Sequence, residues 1–257
     1  MPGASRVGRM QPHTTVIGFL GASGGLGTSS LACAVARLCA DVGTPTLLVD
    51  LAPGGGGLDQ LAGLSHEPGL RWPMHDREVL ALPAGRLPAQ DGLRVLSHPG
   101  PRARPATGEV TAPPSGPARP LGPAALEAVA RLARGQGATV LDLPRADHPE
   151  APAWWDLCYH LVLLSGTAPS QVSAALAARE LLATGLGLVA RPAPGFGLDP
   201  HDVAGLVGLP LLDRLPHDPT VAQALAEQEP PGTREGPLRA TACTVLARVA
   251  ELDRGAA

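Results

Sequence analysis

The chain contains no lysine: all 20 of its basic Lys/Arg residues are arginine. Chemistry that needs a side-chain amine, whether as Schiff-base nucleophile or as a charge beside a catalytic tyrosine, is therefore excluded. Aromatic residues make up only 2%, so Leu, Val and Ala must fill the core. No run of about 18 apolar residues is present, so no transmembrane helix is expected. A net charge of −3 argues against a basic nucleic-acid-binding surface, and no specific nucleic-acid partner is expected. The four cysteines (Cys33, Cys39, Cys158, Cys243) form no C-x-x-C pair and read as buried free thiols of a reducing, cytoplasmic compartment. The eight histidines form no ligand cluster, so no metal cluster is expected.

What the chain has in abundance is Gly (32) and Pro (29), which predicts short elements and many loops. Seven short apolar runs read as strands: Thr15–Leu20, Thr46–Val49, Leu93–Leu96, Thr139–Leu141, Leu161–Leu164, Leu186–Ala190 and Leu211–Leu212. Helical periodicity lies between them over Ser29–Ala40, Pro123–Arg134, Ser170–Ala183 and Thr220–Ala226, and after them over Leu238–Leu252. In the first helix Leu31, Ala34, Val35, Leu38 and Cys39 share one face. In the last, Leu238, Ala242, Val245, Val249 and Leu252 do so. Alternation of this kind predicts an α/β fold, a doubly wound, mostly parallel sheet of about seven strands. Residues 14–253 read as one domain. Residues 1–13, which lack the apolar stretch of a signal peptide, read as a disordered arm, residues 99–122 as a Pro-rich flexible loop and 254–257 as a tail. Trp72, Trp154 and Trp155 are candidate interface anchors, with packing over the sheet the favoured reading of the last two. His160 reads as a satisfied polar end of a buried strand.

The informative stretch is Phe19-Leu-Gly-Ala-Ser-Gly-Gly-Leu-Gly-Thr-Ser-Ser30. It follows a strand and opens a helix, where free N–H groups and the helix dipole can cradle a phosphate. Gly21-Ala-Ser-Gly-Gly-Leu-Gly27 resembles the glycine turn of the short-chain dehydrogenases. That family needs a Tyr with a Lys four residues on. Position 163, four after the lone Tyr159, is Leu, so the dehydrogenase reading fails and no NAD is expected.

Ser23-Gly-Gly-Leu-Gly-Thr-Ser-Ser30 also resembles, without a gap, the deviant phosphate loop of the ParA/MinD ATPases, Lys-Gly-Gly-x-Gly-Lys-Thr-Thr. TLLVDLAPGGGGLDQLAG resembles that family's second strand and first switch loop. TVLDLPR resembles its Walker B strand, with Asp142 as the Walker aspartate, and LLDRLPHDPTVAQALAEQEPPG its stretch near the adenine. GGGLDQLAGLSHEPGLRW, GLRVLS and RPAPG are similar to the CpaE/TadZ-like branch. The resemblance covers roughly residues 14–253 and implies the P-loop NTPase (ParA/MinD-like) fold. It implies a nucleotide site at Ser23, Gly24, Gly25, Leu26, Gly27, Thr28, Ser29, Ser30, Asp50 and Asp142, with Arg191, Pro192 and Pro216 near the base. Ser29, Asp50 and Asp142 would hold Mg2+ with ATP. It further implies a homodimer, and partners in a pilus or secretion ATPase or the division machinery. The last helix lacks a basic amphipathic extension, so no direct membrane insertion is expected and recruitment to the inner face of the membrane is left to a partner.

Three departures weaken the chemistry. Ser23 and Thr28 stand where the family places its two lysines, and Ala52 stands where it places a second switch carboxylate. A lysine ammonium about 4 Å from a phosphate charge contributes roughly 4 kcal/mol at an effective dielectric of about 20. The parts that cradle a phosphate survive better than those that cleave one. A degenerate ATPase is the expectation. A working Mg-ATP-hydrolysing ATPase and a nucleotide-free adaptor are the alternatives.

Overall fold

The computed structural model describes residues 14–52, 57–72, 76–98, 102–103, 110–111, 121–182, 185, 187–195 and 197–256. Ten strands are described: β1 (Thr15–Gly21), β2 (Thr46–Asp50), β3 (Ala89–Gln90), β4 (Leu93–Leu96), β5 (Arg102–Ala103), β6 (Val110–Thr111), β7 (Ala138–Asp142), β8 (His160–Gly166), β9 (Gly187–Arg191) and β10 (Leu211–Arg214). The helices are α1 (Thr28–Asp41), α2 (Leu58–Leu61), α3 (Asp76–Leu80), α4 (Gly122–Ala133), α5 (Ala151–Trp155), α6 (Pro169–Leu181), α7 (Pro200–Val207), α8 (Pro219–Ala226) and α9 (Pro237–Ala256). All seven predicted strands form. The short helices α2, α3, α5 and α7 are additions to the sequence reading; α2, α3 and α5, of four or five residues, are too brief to show a period. The expected arm over residues 1–13 lies outside the described residues. Of the Pro-rich stretch only the small β5–β6 pair and the start of α4 are described.

Eight strands form one sheet in the order β10-β9-β8-β1-β7-β2-β4-β3. Every neighbouring pair is parallel except β3–β4. Parallel strands joined by crossover helices are covered on both faces, which is why β2 and β7 read as unbroken apolar runs and are buried along their whole length. Chain order reverses about β1, which lies between β7 and β8. In open α/β sheets, the carboxyl ends of the strands at such a reversal border the ligand crevice. Register brings the ends together: Phe19 pairs with Asp142, and Asp50 with Asp142.

Helix α1 departs from the one-faced pattern. Every residue from Leu31 to Ala40 is buried, Arg37 included. The helix packs against α9 as well as against the sheet, and the turn before α9 closes on Ala34. The Arg37 guanidinium is accommodated by donating from Nη2 to the Ala62 carbonyl at 3.1 Å. On α9, Leu238, Ala242, Val245 and Val249 are buried as expected, but Leu252 is exposed because the helix runs past the edge of the core. Cys243 is likewise exposed, whereas Cys33 and Cys39 are buried and all four thiols are free. Trp72 and Trp154 are buried in the core and Trp155 packs against it, so none is an exposed anchor. His160 is satisfied by Asp253 at 2.8 Å.

The turn before α9 presses on α1 at Gly232, where φ is +85° and a Cβ would lie 2.5 Å from the Ala34 Cβ. Gly232→Ala is expected to lower stability by about 1–3 kcal/mol, through the left-handed backbone and overpacking together. A chemical-denaturation midpoint unchanged from wild type would show that this contact is slack.

Candidate functional site

Strand β1 ends at Gly21, and Ala22 N–H still donates to the Leu164 carbonyl at 2.9 Å, anchoring the loop's entry to β8. The chain then turns through Ser23–Gly27, with Gly25 at φ +76° and Gly27 at φ +83°. Both are left-handed positions that favour glycine. Gly27 is the N-cap of α1, and no side chain caps that terminus. The first-turn N–H groups of α1 are thus left for another acceptor. Leu26 is buried and fixes the middle of the loop, and Arg191 Nη1 donates to its carbonyl at 3.2 Å.

The two departures in the loop have distinct surroundings. Ser23 Oγ is buried and has no hydrogen-bond partner. Thr28 Oγ1 lies over Gly21, only 2.6 Å from where a Cβ on that glycine would be. Neither hydroxyl carries the charge that a lysine would bring.

Two carboxyl groups stand at the floor. Asp50 ends β2 and Asp142 ends β7, both almost fully buried. Asp50 accepts N–H groups from Ala52 at 3.2 Å and Leu58 at 3.4 Å, and another from His98. Its own carbonyl accepts Trp72 Nε1 at 3.0 Å. Asp142 is hydrogen-bonded by the Ser29 hydroxyl, which draws its carboxyl partly back down. Burial, and then the neighbouring Asp142 charge, push the Asp50 carboxyl up to about 7. Burial pushes Asp142 up to about 6.

The opposite wall is organised by Arg71. Its guanidinium forms an ion pair with Asp59 through Nε. Nη2 donates to the carbonyls of Leu64 at 2.9 Å, Ser65 at 3.3 Å and Glu67 at 3.0 Å, and Nη1 to Gly69 at 3.2 Å. One side chain thus closes the 64–71 loop on itself. Sequence reasoning did not find Arg71 or Asp59, because five partners spread over a dozen residues leave no spacing signal.

Loop, floor and wall enclose one cleft of about 1580 Å³. Ser23 to Ser30, Asp50 and Asp142 all line it, as do Arg71, Arg145 and Glu229. Arg191 braces the loop through its Leu26 carbonyl. Arg191, Pro192 and Pro216 are not among the residues lining the cleft.

No protein-family model matches the sequence. Two curated relatives, the uncharacterized proteins Rv3660c and MT3760 of Mycobacterium tuberculosis, are each 37% identical over 227 residues, which cover 82% of this chain. The chain spans 57% of the length of each. Among solved structures, the MinC:MinD cell division protein complex of Aquifex aeolicus superposes with a TM-score of 0.71 at 17% identity, covering 91% of this chain and 96% of that one. The septum site-determining protein MinD of Pyrococcus horikoshii OT3, complexed with Mg-ADP, gives 0.69 at 15% identity, covering 93% and 97%. A ParA family ATPase from Chlorobium tepidum TLS gives 0.66 at 15% identity, covering 89% and 97%. The chain has the MinD/ParA fold.

Within that fold the loop after β1 occupies the position of the P-loop, and the donor set beside it suits a hard cation. Ser29 offers a hydroxyl and Asp50 and Asp142 two carboxylates, the oxygen ligands that Mg2+ takes together with waters and phosphate oxygens. Among the described residues no group of three or more His, Cys, Asp and Glu side chains is placed to hold a metal ion.

Because both carboxyls titrate higher folded than unfolded, the native state holds extra protons between their ordinary value of 3.8 and about 7. Stability therefore falls as pH rises through that window and levels off above it. Asp50→Asn removes the largest part of this penalty. Its melting temperature is expected to exceed that of wild type at about pH 8, with the gap narrowing towards about pH 5. A gap that widens on acidification would contradict the assignment.

Proposed function

We propose that this chain is a CpaE/TadZ-like, MinD/ParA-related protein with a degenerate nucleotide site. It binds Mg-ATP weakly, hydrolyses it slowly or not at all, and acts as a positioning or regulatory factor for pilus, secretion or septum-site assembly. The observation that carries this reading is a glycine turn that opens α1 with no side-chain cap, shares one cleft with Ser29, Asp50 and Asp142, and has no cation within the turn. Ser23 and Thr28 occupy the positions at which the family's lysines neutralise phosphate charge.

In this reading the N–H groups from Gly24 to Ser30 hold the phosphates at the N-terminus of α1. Ser29, Asp50 and Asp142 would hold Mg2+, directly or through water. When bound, Mg2+ neutralises phosphate charge and orients the phosphate chain. Asp50 and Asp142 would hold the cation in their ionised forms. Ala52 offers no carboxylate to orient an attacking water, so binding and turnover are separated. The resemblance would put Arg191, Pro192 and Pro216 near the base, although none of the three lines the cleft. The Mg-ADP complex of the archaeal MinD and an ATP complex of a Cyanothece McdA variant support a nucleotide as ligand. The MinC:MinD complex supports a protein partner. A homodimer belongs to the same reading, as does a cytoplasmic location with membrane recruitment through a partner. Among the described residues no helix is long and apolar enough to cross a membrane.

Calorimetric titration with Mg-ATP, with phosphate release assayed on the same sample, tests this. Micromolar binding with background phosphate release is expected, and Asp142→Ala should abolish the binding. Thr28→Lys should tighten it, by up to about a thousandfold if the ammonium contributes roughly 4 kcal/mol. Steady turnover by wild type would overturn the degenerate reading in favour of a working ATPase. No binding at millimolar Mg-ATP would leave a nucleotide-free adaptor.

A further inference from the structure

The cleft is short of positive charge. Asp50 and Asp142 form its floor, and Glu67, Asp147 and Glu229 add carboxylates around it. A polyphosphate entering such a site needs a cation from the protein as well as from its metal. Two of the arginines near the loop are already engaged. Arg71 is tied to Asp59 and four backbone carbonyls. Arg191 braces the loop through the Leu26 carbonyl and does not line the cleft.

Arg145 differs from both. It lines the cleft three residues beyond Asp142, held there by the end of β7 and the intervening Leu143-Pro144. Leu143 is buried, and its N–H donates to the Phe19 carbonyl at 2.9 Å, so the segment leaves the sheet from a fixed point beside β1. The Arg145 side chain is 67% exposed, and its ion-pair contact is from Nε to Asp147 at 3.5 Å, a carboxylate itself 74% exposed. Exposed pairs of this geometry exchange readily for a better acceptor. Among the described residues no hydrogen bond engages its Nη1 or Nη2, the fork that matches two phosphate oxygens.

We infer that Arg145 is the phosphate-reading cation of this cleft, contacting the outer phosphates of a bound nucleoside triphosphate from the β7 side in place of the charge that the lysine-free loop lacks. This rests on the nucleotide reading above and adds a preference for triphosphate over diphosphate. Arg145 changes partner from Asp147 to phosphate, with no bond made or broken in the ligand.

The test is calorimetric titration of wild type, Arg145→Ala, Arg145→Lys and Asp147→Ala with Mg-ATP and, separately, Mg-ADP. Arg145→Ala is expected to weaken Mg-ATP about 10- to 100-fold, the range for a charge-assisted bidentate contact, and Mg-ADP by less than about threefold. Arg145→Lys should fall between, and Asp147→Ala should bind Mg-ATP as tightly as wild type or more so. Equal melting temperatures for the four proteins would place the effect in the ligand rather than the fold. Unchanged Mg-ATP affinity in Arg145→Ala, against a wild type that binds, overturns the role of Arg145 and leaves the P-loop reading intact. Equal weakening of ATP and ADP overturns the outer-phosphate assignment. Failure of both wild type and Thr28→Lys to bind any nucleotide overturns the site reading and this inference with it.

Discussion

Two carboxyl groups held side by side in a nearly dry setting govern the middle of this molecule. Asp50 and Asp142 end adjacent parallel strands in matched register, so both side chains leave the same face of the sheet. Burial favours the protonated form of both, and at Asp50 the neighbouring Asp142 charge adds to it. The surroundings answer with donors: backbone N–H groups from Ala52, Leu58 and His98 on one, and the Ser29 hydroxyl on the other. Those donors come from four different segments. The pair therefore ties the first turn of α1, the start of α2 and the end of β4 to one point. A divalent cation would relieve the same repulsion, which is how an electrostatic cost of the folded pair becomes a binding preference.

Around that point the fold supplies rigidity from two directions. Below, α1 is sealed between the sheet and α9, so the P-loop it carries is anchored at its far end. To the side, Arg71 gathers four carbonyls of the 64–71 loop and pairs with Asp59, and Trp72 reaches the Asp50 carbonyl. The cleft wall is thus set by side chains that bond backbone rather than ligand.

The imbalance between negative floor and uncharged loop separates two properties that a phosphate site normally combines. Glycine turns, free N–H groups and oxygen ligands serve ground-state binding. A lysine on the outer phosphates and a second switch carboxylate serve the transition state. On the reading proposed above, Ser23, Thr28 and Ala52 stand where the second set would be, a pattern suited to sensing or scaffolding more than to turnover.

Strand positions and the glycine loop were legible because they depend on local order. Unbroken apolar runs mark strands covered on both faces, and a glycine cluster between strand and helix marks a left-handed turn. The absence of lysine needed no structure at all. By itself, then, the sequence determined the α/β class, the seven long strands of the sheet, the place of the glycine turn and the two aspartates beside it. Tertiary structure decided what depends on distant segments meeting. It buried α1 on every side, because α9 covers the face that periodicity leaves open. It left Leu252 and Cys243 in solvent, because the core ends before the helix does. It assembled the Arg71 wall, and it engaged Arg71 and Arg191 while leaving Arg145 facing the cleft. Local propensity and pattern are properties of neighbours in the chain, whereas burial, charge pairing and the shape of a cleft belong to neighbours in space.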